Sequence, residues 1–347
     1  MISQERIKEI LESYGGEITI GTIASHSALQ ILHGARQEGF DTLLITTKDR
    51  EKLYRNFNVA NFTLFVENFK DILSSEVQDE LIERNCVLIP HGSFVEYIGP
   101  KNILDKLEVP CFGNRLVLEW ESDRRKEREW LTSSGLKMPR EVKPDEIDGP
   151  VIVKFFGAKG GRDFFLASSE EEYWDKIRGR EKEPHVIQEY VVGTRFYLHY
   201  FYSPLNDEIE FTGSDIRYES NVDGLTRIPD WEKYFSPTYV VTGNIPVILR
   251  ESLLPEVFEM GERVVKKSKE LFYPGMIGPF CLETVCTDGL EFYVFEISAR
   301  IVAGTSLYVW GSPYTWVKYN EPMSTGRRIA LEIKRGLETN RESELIW

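Results

Sequence analysis

Phe280-Cys281-Leu282-Glu283-Thr284-Val285, followed beyond Asp288-Gly289 by Tyr293-Val294-Phe295-Glu296-Ile297-Ser298-Ala299-Arg300, decides how this chain is read. Two apolar β segments around an Asp-Gly turn predict a hairpin. Each segment carries a carboxylate among apolar neighbours, where burial is costly unless the charge is paired or metal-bound. Two carboxylates at facing positions suit hard divalent cations, with nucleotide phosphates filling the remaining sites. Glu283 and Glu296 are therefore candidate metal ligands. Arg300, four residues on, is placed for a phosphate or acyl-phosphate oxygen. The same pattern also suits two buried ion pairs with nearby Lys or Arg.

Upstream lies Val151-Ile152-Val153-Lys154-Phe155-Phe156-Gly157-Ala158-Lys159-Gly160-Gly161-Arg162-Asp163-Phe164-Phe165-Leu166. Two apolar strands flank a turn with three glycines and two cations. Glycines let successive backbone N–H groups point into one concavity, and Lys159 and Arg162 add charge for a polyphosphate. Lys154, on the strand before the turn, is placed to reach a phosphate. The stretch is not a Walker A loop, because no Gly-Lys-Ser/Thr follows. Plain turn chemistry explains it equally well. Val186-Ile187-Gln188-Glu189-Tyr190-Val191-Val192-Gly193 is a strand whose end could offer backbone groups to an adenine. By itself it reads more simply as a strand running into a turn.

Residues 1–110 alternate strand and helix. Glu17–Ala24, Thr42–Thr46, Thr63–Val66 and Cys86–Pro90 read as strands, with helices between them. Such a pattern predicts a parallel α/β sheet, whose ligands sit beyond the carboxyl ends of the strands. His26 and His91 fall there, joined by Ser27 and Ser93, and are better candidates than His33, His185 and His199, which read as structural. The charged run 121–129 reads as a solvated helix face. From Pro150 onward longer β segments predict a larger α+β region. Asn244, beside Gly243, reads as a turn residue, and Asp215–Asn221 as a polar run between β segments.

The chain has 347 residues, of which 41% are hydrophobic, enough for two or three domains with a full core. Lys and Arg number 42 against 56 Asp and Glu, a formal net charge of −14, which disfavours nucleic acid as a partner. The four cysteines form no CxxC pair, and no signal peptide or membrane-length apolar run is read, so a cytoplasmic protein is expected.

Taken in order, these pieces resemble the ATP-grasp superfamily and, within it, the archaeal purine-biosynthesis family PurP. The resemblance rests on Ile23-Ala24-Ser25-His26-Ser27, Pro90-His91-Gly92-Ser93-Phe94, Phe112-Gly113-Asn114-Arg115, Val151–Phe155, Glu189–Thr194 and Arg217–Asn221. It continues through Thr242-Gly243-Asn244-Ile245-Pro246, Pro274–Phe280 and Phe295–Arg300, and so spans nearly the whole chain. It implies a Rossmann-like α/β pre-ATP-grasp domain over 1–120, on the substrate-nucleotide side, and an α+β ATP-grasp domain over 121–347. The implied activity is ATP-dependent ligation of formate to the 5-amino group of aminoimidazole carboxamide ribonucleotide (AICAR), through formyl phosphate.

On matching positions the resemblance places His26, Ser93 and Asn244 on the ribonucleotide. Lys154, Lys159, Gly160, Gly161, Glu189, Tyr190, Val191 and Asp215 go to ATP, Glu283 and Glu296 to Mg²⁺ or Mn²⁺, and Arg300 becomes the transition-state cation. A homo-oligomer, trimer or hexamer, is also implied. Three positions depart from the pattern: Ser306 where Asn is expected, Asp163 beside the glycine hairpin, and the bulky Trp310. They leave open a paralogous ligase with another carboxylate or amine, or a catalytically weak nucleotide-binding relative.

Overall fold

A computed structural model describes residues 1–155, 164–225 and 227–347. β1 (Thr19–Ile23), β2 (Asp41–Thr46), β3 (Phe62–Phe65) and β4 (Cys86–Leu88) form a parallel sheet in the order β3-β2-β1-β4. Every residue of β1 is buried. Successive residues of β4 feed two different cores, Cys86 and Leu88 on one side and Val87 on the other. A sheet covered on both faces needs continuous apolar strands, as the sequence has them.

The helix Ala28–Gln37 follows β1 and crosses the helix Thr325–Glu338 at a point where both present glycine. A Cβ on Gly34 would collide with the backbone of Arg327, and one on Gly326 with the backbone of Gln30. Two main chains in contact leave no flexible side chain to give way. The late helix also buries Arg328, whose Nε lies 3.0 Å from Glu210 and Nη1 2.7 Å from Glu332. This late helix is thus tied both to the helix that follows β1 and to the region after the parallel sheet.

β5 (Val151–Phe155), β6 (Phe164–Ala167) and β7 (His185–Glu189) form a small antiparallel sheet in the order β6-β5-β7. Val151, Val153 and Phe155 bury one face against Tyr173 and Ile177 of the helix Glu170–Ile177, which leaves Lys154 on the other. β8 (Thr194–Ser203), β9 (Glu208–Asn221), β10 (Tyr239–Pro246), β11 (Gly278–Cys286) and β12 (Phe292–Ser298) form a second antiparallel sheet, ordered β10-β9-β8-β11-β12. The helix Leu254–Leu271 packs on it, with Tyr200 donating its hydroxyl to the Val257 carbonyl at 2.9 Å.

Two elements correct the sequence reading. β9 does not stop near residue 213 but runs to Asn221, so Asp215–Asn221 is strand and not a link between strands. Asp215 and Glu219 are buried while Tyr218 and Ser220 are exposed, so the inward face of this stretch is polar. A strand with a polar inner face lacks the apolar alternation that marks one. β10 likewise continues past Val241 through a bulge at Thr242 to Pro246, which puts Asn244 in a strand opposite Arg217. Gly243 and Pro246 punctuate it, but β10 is an edge strand, where both residues are tolerated.

Replacing Gly34 with Ala is expected to lower stability by about 1–3 kcal/mol or more, because two helix backbones must separate. Chemical denaturation of wild type and Gly34→Ala measures it. An unchanged midpoint means the helices do not meet there.

Candidate active site

One row of residues crosses the large sheet in register: Glu296 on β12, Glu283 on β11, Tyr197 on β8, Asp215 on β9 and Pro246 on β10. Directly opposed residues share a face, so all five point the same way. Asp215 and Glu296 are three strand spacings apart, about 14 Å at ~4.8 Å each. Arg217 and Asn244, themselves paired, lie two residues along on that same face.

The two candidate metal ligands are therefore direct neighbours. The register slips between Glu283 and Thr284, leaving Phe295 as the extra residue of a bulge beside the pair. Bulges re-aim side chains and are common at such sites. Glu283 is only 2% exposed and accepts from Arg217 Nη2 at 2.6 Å and from Ser298 Oγ at 3.3 Å. Glu296 is open to solvent on one side yet densely surrounded by protein, the position of a group on a cleft floor. Burial, then the charge of Glu283, push its pKa up to about 7. Burial alone would lower Arg217, but Glu283, with smaller contributions from Tyr197 and Cys281, outweighs it and the pKa is raised.

From the small sheet, Lys154 faces this pair, its Nζ 5.6 Å from the centre of the Phe295 ring. Burial draws its pKa below the ordinary lysine value, against the pull of Glu296. The rings of Phe164 on β6 and Tyr239 on β10 meet at 5.2 Å, so the two sheets close around a common cleft. Glu189, Tyr190 and Val191 lie at the end of β7. Glu189 Oε1 accepts from the Arg140 N–H at 2.8 Å, Tyr190 N–H donates to the Pro150 carbonyl at 2.8 Å, and the Tyr190 ring is exposed. Lys159, Gly160 and Gly161, with Arg162 and Asp163, lie outside the described residues.

The ends of β1 and β4 build a second cluster. His26 and His91 stack with ring centres 5.2 Å apart and planes 3° from parallel. His91 Nε2 lies 3.1 Å from the Ile23 carbonyl, which can only accept, so Nε2 carries the proton. Its Nδ1 then accepts from the Ser93 N–H at 3.2 Å, and Ser93 Oγ donates to Ser25 Oγ at 2.9 Å. Burial lowers the pKa of His91 to about 3. Burial, His91, Arg300 and Arg217 hold His26 well below the ordinary histidine value. Both rings are neutral at physiological pH.

Gly92 joins this cluster to the late strand. A Cβ there would stand 3.0 Å from His26 Nε2 and 3.5 Å from the Arg300 guanidinium carbon. Arg300 is therefore shared between the two clusters. Asp215 is placed differently from its neighbours in the row: its carboxylate accepts from His199 Nε2 and Asn244 Nδ2, each at 2.6 Å. Ser306, where Asn was expected, receives the amide of Gln30 at 3.2 Å, so an amide reaches this loop from another helix. Trp310 is exposed.

Sequence reading missed two carboxylates that back this site, Glu121 on the helix Leu116–Ser122 and Glu127 on the helix Arg124–Ser133. Glu127 Oε1 accepts from the Ile297 N–H at 2.8 Å and Glu121 Oε2 from the Ala299 N–H at 2.5 Å. Glu121 Oε1 also lies 3.3 Å from Arg300 Nε. Burial raises both carboxyl pKa values, and Glu296 adds to the effect on Glu127. The signal was available: Glu127 stands one turn before Trp130, which is fully buried, so that face points inward.

Among the described residues no group of three or more His, Cys, Asp or Glu gathers to hold a metal. Two facing carboxylates, one with a pKa raised by burial and by its acidic neighbour, nonetheless fit Mg²⁺, which commonly takes one or two carboxylates plus substrate phosphates. No helix among the described residues is long and apolar enough to cross a membrane.

Comparison with known proteins identifies the family and the fold. Residues 20–142 match a family model described as a protein of unknown function (DUF1246), and residues 168–346 one described as a domain of unknown function (DUF1297). A 5-formaminoimidazole-4-carboxamide-1-(beta)-D-ribofuranosyl 5'-monophosphate synthetase of Methanocaldococcus jannaschii is 50% identical, covering 100% of both chains. One from Methanosphaera stadtmanae is 49% identical over 98% of each. The crystal structure of an IMP biosynthesis protein PurP from Thermococcus kodakaraensis superposes with a TM-score of 0.77 at 30% identity, covering 94% of this chain and 100% of that one. An ADP complex of an N5-carboxyaminoimidazole ribonucleotide synthetase, 14% identical with a TM-score of 0.61 over 84% of this chain and 72% of that one, shares the fold. The chain belongs to the PurP family of 5-formaminoimidazole-4-carboxamide ribonucleotide synthetases, ligases of IMP biosynthesis.

Proposed function

We propose that this protein formylates the 5-amino group of AICAR with formate and ATP, through formyl phosphate. The observation that carries the reading is the shared position of Arg300, beside the strand-end histidine cluster on one side and four residues beyond Glu296 on the other. Residues 1–120 then lie on the ribonucleotide side, and residues 121–347 carry the ATP and metal site, with Asn244 reaching the ribonucleotide.

Formate is a poor electrophile until an oxygen becomes a leaving group. A formate oxygen attacks the γ-phosphorus, the bond to the β-phosphate oxygen breaks, and ADP leaves. The 5-amino nitrogen then attacks the formyl carbon, the C–O bond to phosphate breaks, and the amine's surplus proton departs with phosphate. Phosphoryl transfer asks mainly for positioning and charge neutralisation. Lys154 and Arg300 supply cations at the cleft, and Arg217 holds the Glu283 carboxylate in place. Mg²⁺ or Mn²⁺, held by Glu283 and Glu296, would neutralise phosphate charge. His26, kept neutral, is a hydrogen-bond partner for the ribonucleotide with Ser93 and Asn244, while Glu189, Tyr190 and Val191 line the adenine side. A cytoplasmic location and a trimeric or hexameric homo-oligomer belong to the same reading, and sedimentation tests the assembly.

ADP release with ATP, formate and AICAR together, and with each omitted in turn, tests the activity. Release only when all three are present is expected, and release indifferent to AICAR contradicts it.

Glu296→Gln is expected to cut kcat about 100-fold or more, since charge is removed at constant volume where phosphate charge must be neutralised. Its Tm should hold or rise, because two facing like charges no longer repel. Wild-type turnover at saturating Mg²⁺ would exclude Glu296 as a ligand.

His26→Ala should raise KM for AICAR about tenfold and leave KM for ATP within about twofold. Steady-state kinetics with each substrate varied decides it, and an unchanged KM for AICAR removes His26 from that subsite.

A further inference from the structure

Asp215 sits in the same row as the two candidate metal ligands, yet its carboxylate is turned toward other partners. It is 1% exposed, with Oδ1 at 2.6 Å from His199 Nε2 and Oδ2 at 2.6 Å from Asn244 Nδ2. His199 is equally buried, and its Nδ1 has no hydrogen-bond partner among the described residues. A proton on Nδ1 would be a buried donor without an acceptor, so the ring proton is on Nε2 and is donated to Asp215.

A carboxylate so held can only accept. It therefore takes the amide nitrogen of Asn244 and turns that residue's carbonyl oxygen the other way. Asn244 is the one member of the trio with solvent access. Space for the carboxylate is kept by Gly304, where a Cβ would collide with Asp215 Oδ1. The next residue, Thr305, receives the Gln30 amide at 2.6 Å, and Gln30 lies on the helix that follows His26. The trio thus adjoins the segment that leads to the ribonucleotide cluster.

We propose that Asp215 and His199 are positioning residues that fix the Asn244 amide so that it presents a carbonyl oxygen to an amino group of the substrate. The inference rests on the reading of Asn244 as a ribonucleotide contact. It moves Asp215 from the ATP side, where family resemblance put it, to the ribonucleotide side. An acceptor at this point suits an aminoimidazole carboxamide, which carries two amino groups. It disfavours analogues that offer an oxygen in their place, because two acceptors would face each other.

The substitution Asp215→Asn tests this with an unambiguous sign. His199 Nε2–H would hold the new amide's oxygen, so its NH₂ would face residue 244 and rotate the Asn244 amide, presenting NH₂ to the substrate. Calorimetric titration with AICAR and, separately, with ATP should show AICAR binding weakened about 30-fold and ATP binding within about twofold of wild type. The double variant Asp215→Asn/Asn244→Asp restores an acceptor at position 244 and should recover at least about tenfold of the loss.

Unchanged AICAR affinity in Asp215→Asn overturns the inference. So does a loss confined to ATP, a lowered Tm with AICAR affinity intact, or a double variant no better than the single one. Wild-type protein that binds ATP but not AICAR overturns the functional reading itself, and this inference with it.

Discussion

Glu283 and Glu296 face one another on adjacent strands, and like charges so placed destabilise a sheet unless something compensates. Much of the surrounding structure is that compensation. Arg217 reaches across from β9 to Glu283, Ser298 adds a hydroxyl, and Lys154 comes over from the small sheet toward Glu296. The balance is incomplete, since burial and the neighbouring acid still raise the pKa of Glu296. A pair of facing carboxylates, one of them with a raised pKa, is suited to a divalent cation arriving with a polyphosphate.

β12, which bears Glu296, is an edge strand, and an open edge at an active site would leave backbone donors unpaired. Instead Ile297 and Ala299 donate to Glu127 and Glu121, and Val294 N–H donates to the Lys137 carbonyl at 2.8 Å. Two helix side chains and one loop carbonyl thus take the place of a sixth strand. Because Glu121 also meets Arg300, the device that closes the edge holds the cation that stands across Gly92 from His26. Strand ends of the parallel sheet and the last strand of the antiparallel one are fixed to each other through this small set of contacts.

What could be read from the chain follows the physics of burial. Glu283 and Glu296 stood out because a carboxylate between apolar residues demands a reason, and His26 and His91 because they follow continuous apolar strands. Arg217 was visible only as part of a polar run, because the face of β9 that looks into the cleft is itself polar. Glu121 and Glu127 were hidden in a charged run that spans two short helices, where the pattern of a solvated face and that of a buried carboxylate cap are alike. Only Trp130, one turn on, marks the inward side. The stacking of His26 on His91, the bulge at Phe295 and the Asp215–His199 pair depend on register between distant segments, which no local pattern encodes.

A late arginine between two clusters makes sense if a small activated carboxylate must form on one side and be consumed on the other without escaping to water. The route through formyl phosphate is tested most directly with formate carrying oxygen-18 at both carboxylate oxygens, turned over with ATP and AICAR. Phosphate bearing one labelled oxygen per turnover is the expected result. Phosphate free of label, with AICAR formylated all the same, contradicts activation by phosphoryl transfer to formate.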